Sequence, residues 1–288
     1  MGSRMSRVAL RLAAAATLLF LYVPIFIVVV YAFNDSKNQS WSGLIERLGL
    51  NGFGETFSLR WFDAAINNDQ VRESLWLSVQ AGLGATVVAL ILGSAAAFAV
   101  HRHRFFGREG ISFVLVLPIA LPGIVTGMAL NAAMNAGIDG FDIGPLHVTT
   151  PEFGLATIII GHATFCVVVV YNNVVARLRR LGRSLEEASM DLGADTWQTF
   201  RRITFPALAT ALFAGALLAF ALSFDEIIVT TFTAGTEQTL PIWIFANFRL
   251  PNQRPIVNVV ALAMILLSII PVYVSARLAG AESVASAR

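Results

Sequence analysis

The chain has 288 residues, of which 56% are hydrophobic and 13% are charged, and its mean hydropathy is +0.71. Because soluble domains carry about 25% charged residues, this composition excludes an ordinary soluble domain and indicates an integral membrane protein. The net charge of +2 does not favour nucleic acid, and one cysteine, Cys166, excludes a disulfide within the chain. Lys37, the single lysine, precedes Asn38, so the Gly-Lys-Ser/Thr phosphate loop is absent and any nucleotide hydrolysis belongs to another polypeptide.

Six apolar runs predict six transmembrane helices, because each is near the ~20 residues that cross a ~30 Å bilayer core. They cover residues of about 12–33, 75–100, 111–134, 155–175, 207–232 and 256–274. The first run is longer than the roughly 7–15 residues of a signal-peptide core and has no cleavage site after it, so we interpret it as an uncleaved span. Residues 34–70 are predicted to form a long outer loop, partly an interfacial helix near 59–67. We expect a single all-α transmembrane domain over residues 1–288.

The distribution of basic residues predicts the orientation of the chain. Most arginines fall at the N-terminus, between the second and third runs, between the fourth and fifth, and at the C-terminus. The opposite loops hold Lys37, Arg47, Arg60, Arg249 and Arg254. By the positive-inside rule, both termini and the segment 184–206 are expected in the cytoplasm.

Segment 184–206, between the fourth and fifth runs, carries two helix start signals. Ser184 with Glu187 fits a capping box, and Gly193 is the residue type that most easily ends a helix. Asp195 with Gln198 repeats the start signal. One face of the second helix carries Trp197, Phe200 and Ile203, which follow at spacings of three. The next element begins with Pro206, in a first-turn position where a missing amide hydrogen costs nothing. The segment is therefore predicted to be helix, glycine elbow, helix.

Two prolines interrupt the third run. Pro118 and Pro122 each remove a helical hydrogen bond, which predicts a kinked helix. Gly123 and Gly127 form a small-xxx-small pair just beyond them, which predicts close packing on a neighbouring helix.

Asp225 and Glu226 lie within the fifth run, where an acidic side chain costs on the order of 2.5–3.5 kcal/mol at a span centre. At 1.5 Å per residue, Asp225 should lie about 27 Å along a helix that begins at Ala207, in the outer half of the membrane. The pair is either an acidic contact for a cationic substrate or a structural pair that reaches the surface or an arginine such as Arg249.

His162 and Cys166 are four residues apart and could form one edge of a metal site. No further histidine, cysteine or acid is adjacent, so we interpret them as a satisfied buried pair and expect no metal site. Gly-x-Ser-x-Gly and His-Glu-x-x-His patterns are absent, and no catalytic residues are predicted.

The spacing of Glu187-Ala-Ser189, Gly193 and Ile203-Thr-Phe-Pro206 resembles the EAA signature, E-A-A-x3-G-x9-I-x-L-P, of permease subunits of bacterial ATP-binding-cassette (ABC) importers. Ser189 replaces the second alanine and Phe205 replaces the leucine. The resemblance implies the type I importer permease (MetI-like) fold, with cytoplasmic coupling helices that fit a cleft on the ATPase. The residues assigned to this coupling are Glu187, Ala188, Ser189, Asp191, Gly193, Trp197, Phe200, Ile203 and Pro206.

Segments 161–166, 187–194, 221–235 and 239–243 look like the spermidine/putrescine type of permease (PotC/PotI/YdcV-like). This resemblance implies polyamine import at the bacterial inner membrane, with Asp225, Glu226 and Trp243 along the substrate path. It also implies two ATPases that bind ATP and Mg²⁺, a second homologous permease and an extracytoplasmic solute-binding protein, with no cofactor on this chain. Related permeases carry ferric iron, thiamine, aminophosphonates or aminobutyrate, which remain alternatives. A stand-alone secondary transporter would share the acids and broken helices, but it does not explain the capped helix pair.

Overall fold

The computed structural model describes residues 4–34, 58–103, 105–137, 140–143, 146–149 and 151–285, and it is almost entirely helical. Most of the predicted outer loop, residues 35–57, lies outside the described residues. The elements in chain order are α1 (Arg4–Ala32), α2 (Arg60–Ile66), α3 (Asp69–Arg102), α4 (Arg108–Ala120), α5 (Gly123–Ala136), β1 (Phe141–Ile143), β2 (Leu146–Val148), α6 (Leu155–Arg180), α7 (Ser184–Asp191), α8 (Thr196–Thr199), a π-helical turn (Phe200–Thr204), α9 (Phe205–Phe224), α10 (Ile228–Thr233), α11 (Leu240–Asn247) and α12 (Arg254–Ala285).

Five helices among the described residues are long and apolar enough to cross a membrane, and the bent pair α4 and α5 makes a sixth if it is counted as one span. The five are Val8–Ala32, Asp69–Arg102, Leu155–Arg180, Thr196–Phe224 and Arg254–Arg277. The six predicted apolar runs fall on these six elements. Helix α2 occupies the place of the predicted helix near residues 59–67. A short antiparallel hairpin, in which Phe141 pairs with Val148, was not predicted.

The third predicted span is broken more sharply than a kinked helix. Helices α4 and α5 meet at an angle of 106°. Leu121 between them is extended, with φ −80° and ψ 143°, as expected for a residue that precedes a proline. Because Pro122 has no amide hydrogen, it cannot continue the hydrogen bonds of α4, and α5 begins anew at Gly123.

The close packing predicted for the glycine pair is found at Gly127. A Cβ atom on Gly127 would lie 2.5 Å from the ring of Phe232, so α10 approaches α5 as closely as a glycine allows. Asn131 Nδ2 donates to the carbonyl of Phe232 at 2.7 Å and fixes this contact. Gly123, by contrast, has ordinary van der Waals space beside Ile228.

The chain divides into two compact units. One combines residues up to Glu73 with Trp243–Leu266, and the other combines Ser74–Ile242 with Leu267–Arg288. The core of the second unit packs small residues of α3 against branched residues of α6. A Cβ atom on Gly93 of α3 would lie 2.9 Å from the carbonyl of Val167 in α6, which shows how close the two backbones are. Buried members of this core are Ala85, Ala89, Ala97, Val170, Val174, Leu178, Leu208 and Ala219.

Candidate functional site

The segment from α7 to α8 forms the predicted helix, glycine elbow, helix. Gly193 has a φ of +86°, in the left-handed region that glycine adopts without strain. Its amide donates to the carbonyl of Met190 at 2.9 Å, and the amide of Ala194 donates to the carbonyl of Ser189 at 3.1 Å. These two bonds are a Schellman motif, which satisfies carbonyls that the end of a helix leaves free. The predicted role of Gly193 as the elbow is confirmed.

The two predicted start signals have different outcomes. The capping box at Ser184 is wrong: Arg183 already has helical dihedrals, with φ −69° and ψ −18°, and makes no side-chain cap. The amide of Glu187 donates instead to the carbonyl of Arg183 at 2.9 Å, because Ser184 lies one residue inside the first turn. The second signal is confirmed, since Asp195 Oδ1 accepts from the amide of Gln198 at 2.7 Å.

The second helix of the pair does not end before Pro206. Residues Phe200–Thr204 form a π-helical turn that joins α8 to α9, so Thr196–Phe224 is one continuous helix. Pro206 lies in the first turn of α9, as predicted. The ring of Phe200 stacks on Trp197 at 5.7 Å and meets Phe98 of α3 edge-on at 5.7 Å. The aromatic face thus packs partly inward, and Ile203 is half-buried.

The outward side of this segment is apolar and exposed. Leu192 is 90% exposed and Trp197 is 66% exposed, and Leu185 and Met190 are also exposed. We call these four side chains the coupling face. The carboxylates of Glu187 and Asp191 and the methyl of Ala188 are exposed as well, whereas Ser189 is half-buried and its hydroxyl lies 3.1 Å from that of Thr199. Exposed apolar clusters rimmed by charges are typical of protein–protein interaction sites.

Glu186, which the sequence did not single out, holds the segment onto the rest of its unit. Its Oε1 accepts from Arg102 Nη2 at 2.6 Å and from Thr204 Oγ1 at 2.9 Å. Arg183 Nη2 also donates to the carbonyl of Arg102 at 3.1 Å. One carboxylate therefore joins the end of α3, helix α7 and the π-helical turn. In the sequence, Arg102 looked like one more positive-inside charge, and only its contact with Glu186 distinguishes it.

The acidic pair lies at a break rather than inside a continuous helix, which corrects the prediction for the fifth span. Helix α9 ends at Phe224, with Asp225 as its C-cap, and α10 begins at Ile228. Glu226 Oε1 accepts from the amide of Val229 at 3.0 Å, because the first amides of α10 have no partners within the helix. Asp225 is exposed and Glu226 is half-buried. The predicted distance of about 27 Å from Ala207 to Asp225 still applies, but α9 ends at this point and does not continue through the acidic pair.

His162 of α6 holds both sides of this break. Its Nδ1 lies 2.6 Å from Ser223 Oγ in α9, and its Nε2 lies 2.8 Å from Thr230 Oγ1 in α10. Thr230 donates its hydroxyl hydrogen to the carbonyl of Glu226 at 2.8 Å, so it must accept from Nε2–H of the imidazole. The neutral ring then carries its hydrogen on Nε2 and accepts from Ser223 at Nδ1.

The interpretation of His162 and Cys166 as satisfied buried residues is confirmed. Cys166 Sγ donates to the carbonyl of Ala219 at 3.3 Å rather than contacting the histidine. Among the described residues, no group of three or more histidines, cysteines and acids could hold a metal ion.

A small cavity of about 150 Å³ lies beside the break. Its walls are apolar except for Glu226 and Thr126, whose hydroxyl is buried and makes no hydrogen bond within the described residues. Pro118, Leu121 and Phe165 contribute apolar surface. The cavity therefore offers one carboxylate and one hydroxyl in otherwise apolar surroundings.

Trp243, the third residue assigned to a substrate path, belongs to the other compact unit. Its side chain is 1% exposed, and its Nε1 donates to Gln70 Oε1 at 3.5 Å. The indole thus forms part of the core of that unit, and its contact with a substrate stays a prediction.

Comparison with known proteins identifies the family. Residues 85–280 match the family described as "Binding-protein-dependent transport system inner membrane component". The chain belongs to this family. It is a multi-pass permease subunit of an ABC importer, and therefore a transport subunit rather than an enzyme.

This permease is similar to two characterised relatives. It is 34% identical over 245 residues to the putrescine transport system permease protein PotI of Escherichia coli (strain K12). The alignment covers 84% of this chain and 80% of the relative. It is 32% identical over 259 residues to the spermidine/putrescine transport system permease protein PotC of Haemophilus influenzae. This alignment covers 89% of this chain and 90% of the relative.

The fold of this permease is also found in solved structures. A chain of a bacterial ABC transporter involved in the import of alginate superposes with a TM-score of 0.63 at 16% identity, and the match covers 97% of this chain and 98% of the other. The predicted importer-permease fold is confirmed.

Proposed function

We propose that this permease carries polyamines, such as putrescine and spermidine, across the inner membrane into the cytoplasm. The observation that carries the proposal is the position of Asp225 and Glu226 at a helix break, where Asp225 is exposed and Glu226 is half-buried beside the cavity. A flexible polycation needs more than one carboxylate, and these two side chains differ in exposure. The names of PotI and PotC support the same substrate class.

The cavity beside Glu226 suits part of such a substrate. Its volume of about 150 Å³ accommodates an ammonium group and a few methylenes rather than a large solute. The carboxylate of Glu226 and the hydroxyl of Thr126 would accept hydrogen bonds from an ammonium group, while the apolar walls would contact methylenes. These contacts are few, so cargo is held weakly enough to be released.

The coupling face is proposed as the docking surface for an ATPase subunit on the cytoplasmic side. Leu185, Met190, Leu192 and Trp197 would enter a cleft of the ATPase, and Glu187 would pair with a cation there. Two ATPases, which bind ATP and Mg²⁺, a second permease and a solute-binding protein complete the assembly. Closure of the ATPases would move both coupling segments together and rock the spans from inward-facing to outward-facing.

Uptake by the reconstituted importer tests the substrate. The complete complex with its binding protein is placed in liposomes, and ATP-dependent uptake is measured for radiolabelled putrescine and spermidine. Aminobutyrate, thiamine, an aminophosphonate and ferric iron are measured in parallel. Saturable uptake of a polyamine is expected, and uptake of one of the other solutes without polyamine uptake contradicts the proposal.

A further inference from the structure

A second cavity, of about 600 Å³, lies between the end of α3, the start of α4 and the last turns of α6. It is separate from the coupling face and from the acidic break, and its size is typical of ligand sites. Val100, Val116 and Val175 provide apolar wall. The neutral polar part of the lining consists of Asn172 and the hydroxyls of Ser112 and Tyr171, which lie 3.1 Å apart.

The ionisable residues of this cavity are mostly basic. His101, Arg108 and Arg179 line it, opposed by one carboxylate, that of Glu109. Arg108 and Arg179 are exposed, and neither guanidinium makes a hydrogen bond or an ion pair within the described residues. Both lie close enough to His101 for their charges to act on its imidazole. Two free guanidinium groups thus share one cavity with apolar walls.

We propose that this cavity binds the phosphate of an anionic phospholipid. Guanidinium groups match phosphate geometry with paired hydrogen bonds, so Arg108 and Arg179 would bind the phosphate oxygens and the valines would contact the acyl chain. A cationic cargo would be repelled here, which separates this cavity from the substrate path. Since α3, α4 and α6 are all parts of candidate spans, a lipid reaches the cavity from the bilayer. The orientation proposed above places it in the cytoplasmic leaflet, where basic pockets between helices bind lipid headgroups.

Lipid binding to the complete purified importer tests the proposal. Binding of phosphatidylglycerol is measured by native mass spectrometry and by titration in phosphatidylcholine nanodiscs. The double variant Arg108→Gln/Arg179→Gln should bind phosphatidylglycerol about 100-fold more weakly, since the loss of each charged hydrogen bond costs about tenfold. Arg180→Gln/Arg201→Gln is the matched control, because these two arginines are also exposed but do not line the cavity.

Three outcomes separate the alternatives. Equal weakening in both double variants, or none in either, overturns the proposal, because general surface attraction would then explain the binding. Stronger binding in Arg108→Lys/Arg179→Lys than in the glutamine variant shows that charge, not misfolding, causes the loss, because lysine keeps the charge but not the paired hydrogen bonds. If inorganic phosphate competes as well as phosphatidylglycerol does, the ligand is a soluble phosphate and the lipid assignment is overturned. The readout is binding, so it is independent of whether polyamines are carried.

Discussion

Glu186 and Glu187 are neighbours with opposite surroundings. Glu186 bonds Arg102 and Thr204, and the side chains of the Glu186–Arg102 ion pair are 20% and 13% exposed, respectively. Glu187 is exposed and makes no side-chain bond within the described residues. The first carboxylate is therefore expected to stabilise the permease itself, and the second to act on a partner.

Substitution by alanine should separate the two roles. Glu186→Ala leaves Arg102 partly buried without its partner, so we expect a loss of about 1–3 kcal/mol of stability and a lower Tm of the purified permease. Glu187→Ala should leave the Tm unchanged and weaken ATPase binding. Thermal unfolding and ATPase pull-down measure the two effects. A stable Glu186→Ala protein, or a Glu187→Ala protein that binds ATPase normally, would contradict the respective assignment.

At Glu226, charge can be removed while the helix cap is kept. In Glu226→Gln the side-chain carbonyl can still accept from the amide of Val229, so α10 should start as before. Combined with Asp225→Asn, this change should lower polyamine uptake about tenfold through a higher KM, because charged hydrogen bonds contribute about 1.5–3 kcal/mol. Glu237→Gln, an exposed acid in the same compact unit, is the control. Unchanged uptake in the double variant would leave the two acids as structural residues.

At the scale of elements, we propose that the glycine elbow determines the orientation of the coupling face. A Cβ atom on Gly193 would meet nothing within 4 Å, so any cost of substitution comes from the φ of +86° alone. For L-residues the left-handed conformation costs roughly 1–2 kcal/mol, and it is worse for β-branched side chains. The effect of a substitution at Gly193 should therefore depend on how well the new residue adopts a positive φ, and not on the volume of its side chain.

Gly193→Val is expected to uncouple ATP hydrolysis from uptake. The elbow should open and reduce uptake per ATP about tenfold, whereas Gly193→Asn should be milder because asparagine tolerates this conformation. Gly182→Val is the control, since Gly182 does not have a positive φ. Uptake and hydrolysis are measured together in liposomes. Full coupling in Gly193→Val, with normal assembly, would refute the role of the elbow.

The sequence predicted the elements best where a local signal determines them. Gly193 and Asp195 need only their own backbone and the next few amides, and both predictions are confirmed. The end of α9 at Phe224 was not predicted because the apolar run resumes at Ile227, directly after Asp225 and Glu226. Hydropathy measures transfer of side chains into lipid and does not measure backbone hydrogen bonding. The bond from Glu226 to Val229 and the bridge through His162 form the break, and both depend on tertiary structure.

At the scale of the whole molecule, the six apolar runs predicted the candidate spans, and the resemblance to the EAA signature implied the permease fold. The two compact units and the site at Glu186 were not predicted. Glu186 and Arg102, which form one of these bonds, are 84 positions apart in the sequence. No local sequence pattern predicts such a contact.

The single cysteine allows a direct test of orientation. Cys166 is buried and donates to a carbonyl, so it should not react with maleimides. Leu192→Cys places a thiol at a 90% exposed position of the coupling face. A membrane-impermeant maleimide should label it in inside-out vesicles and not in intact cells, and Glu237→Cys should show the reverse. Labelling of Leu192→Cys in intact cells would invert the proposed topology.

The π-helical turn also sets the angular phase of the fifth span. One additional residue per turn, relative to an α-helix, rotates everything beyond Thr204 by about 100°. The three-residue spacing of Trp197, Phe200 and Ile203 therefore cannot be extended into α9 to find its packed face. Deleting one residue from Phe200–Thr204 would restore a uniform α-helix and leave Leu208 and Ala219 facing the core they now fill, because the π-helical turn already accommodates one extra residue. The π-helical hydrogen bonding of this turn therefore sets the rotation of the membrane-embedded helix relative to the coupling face.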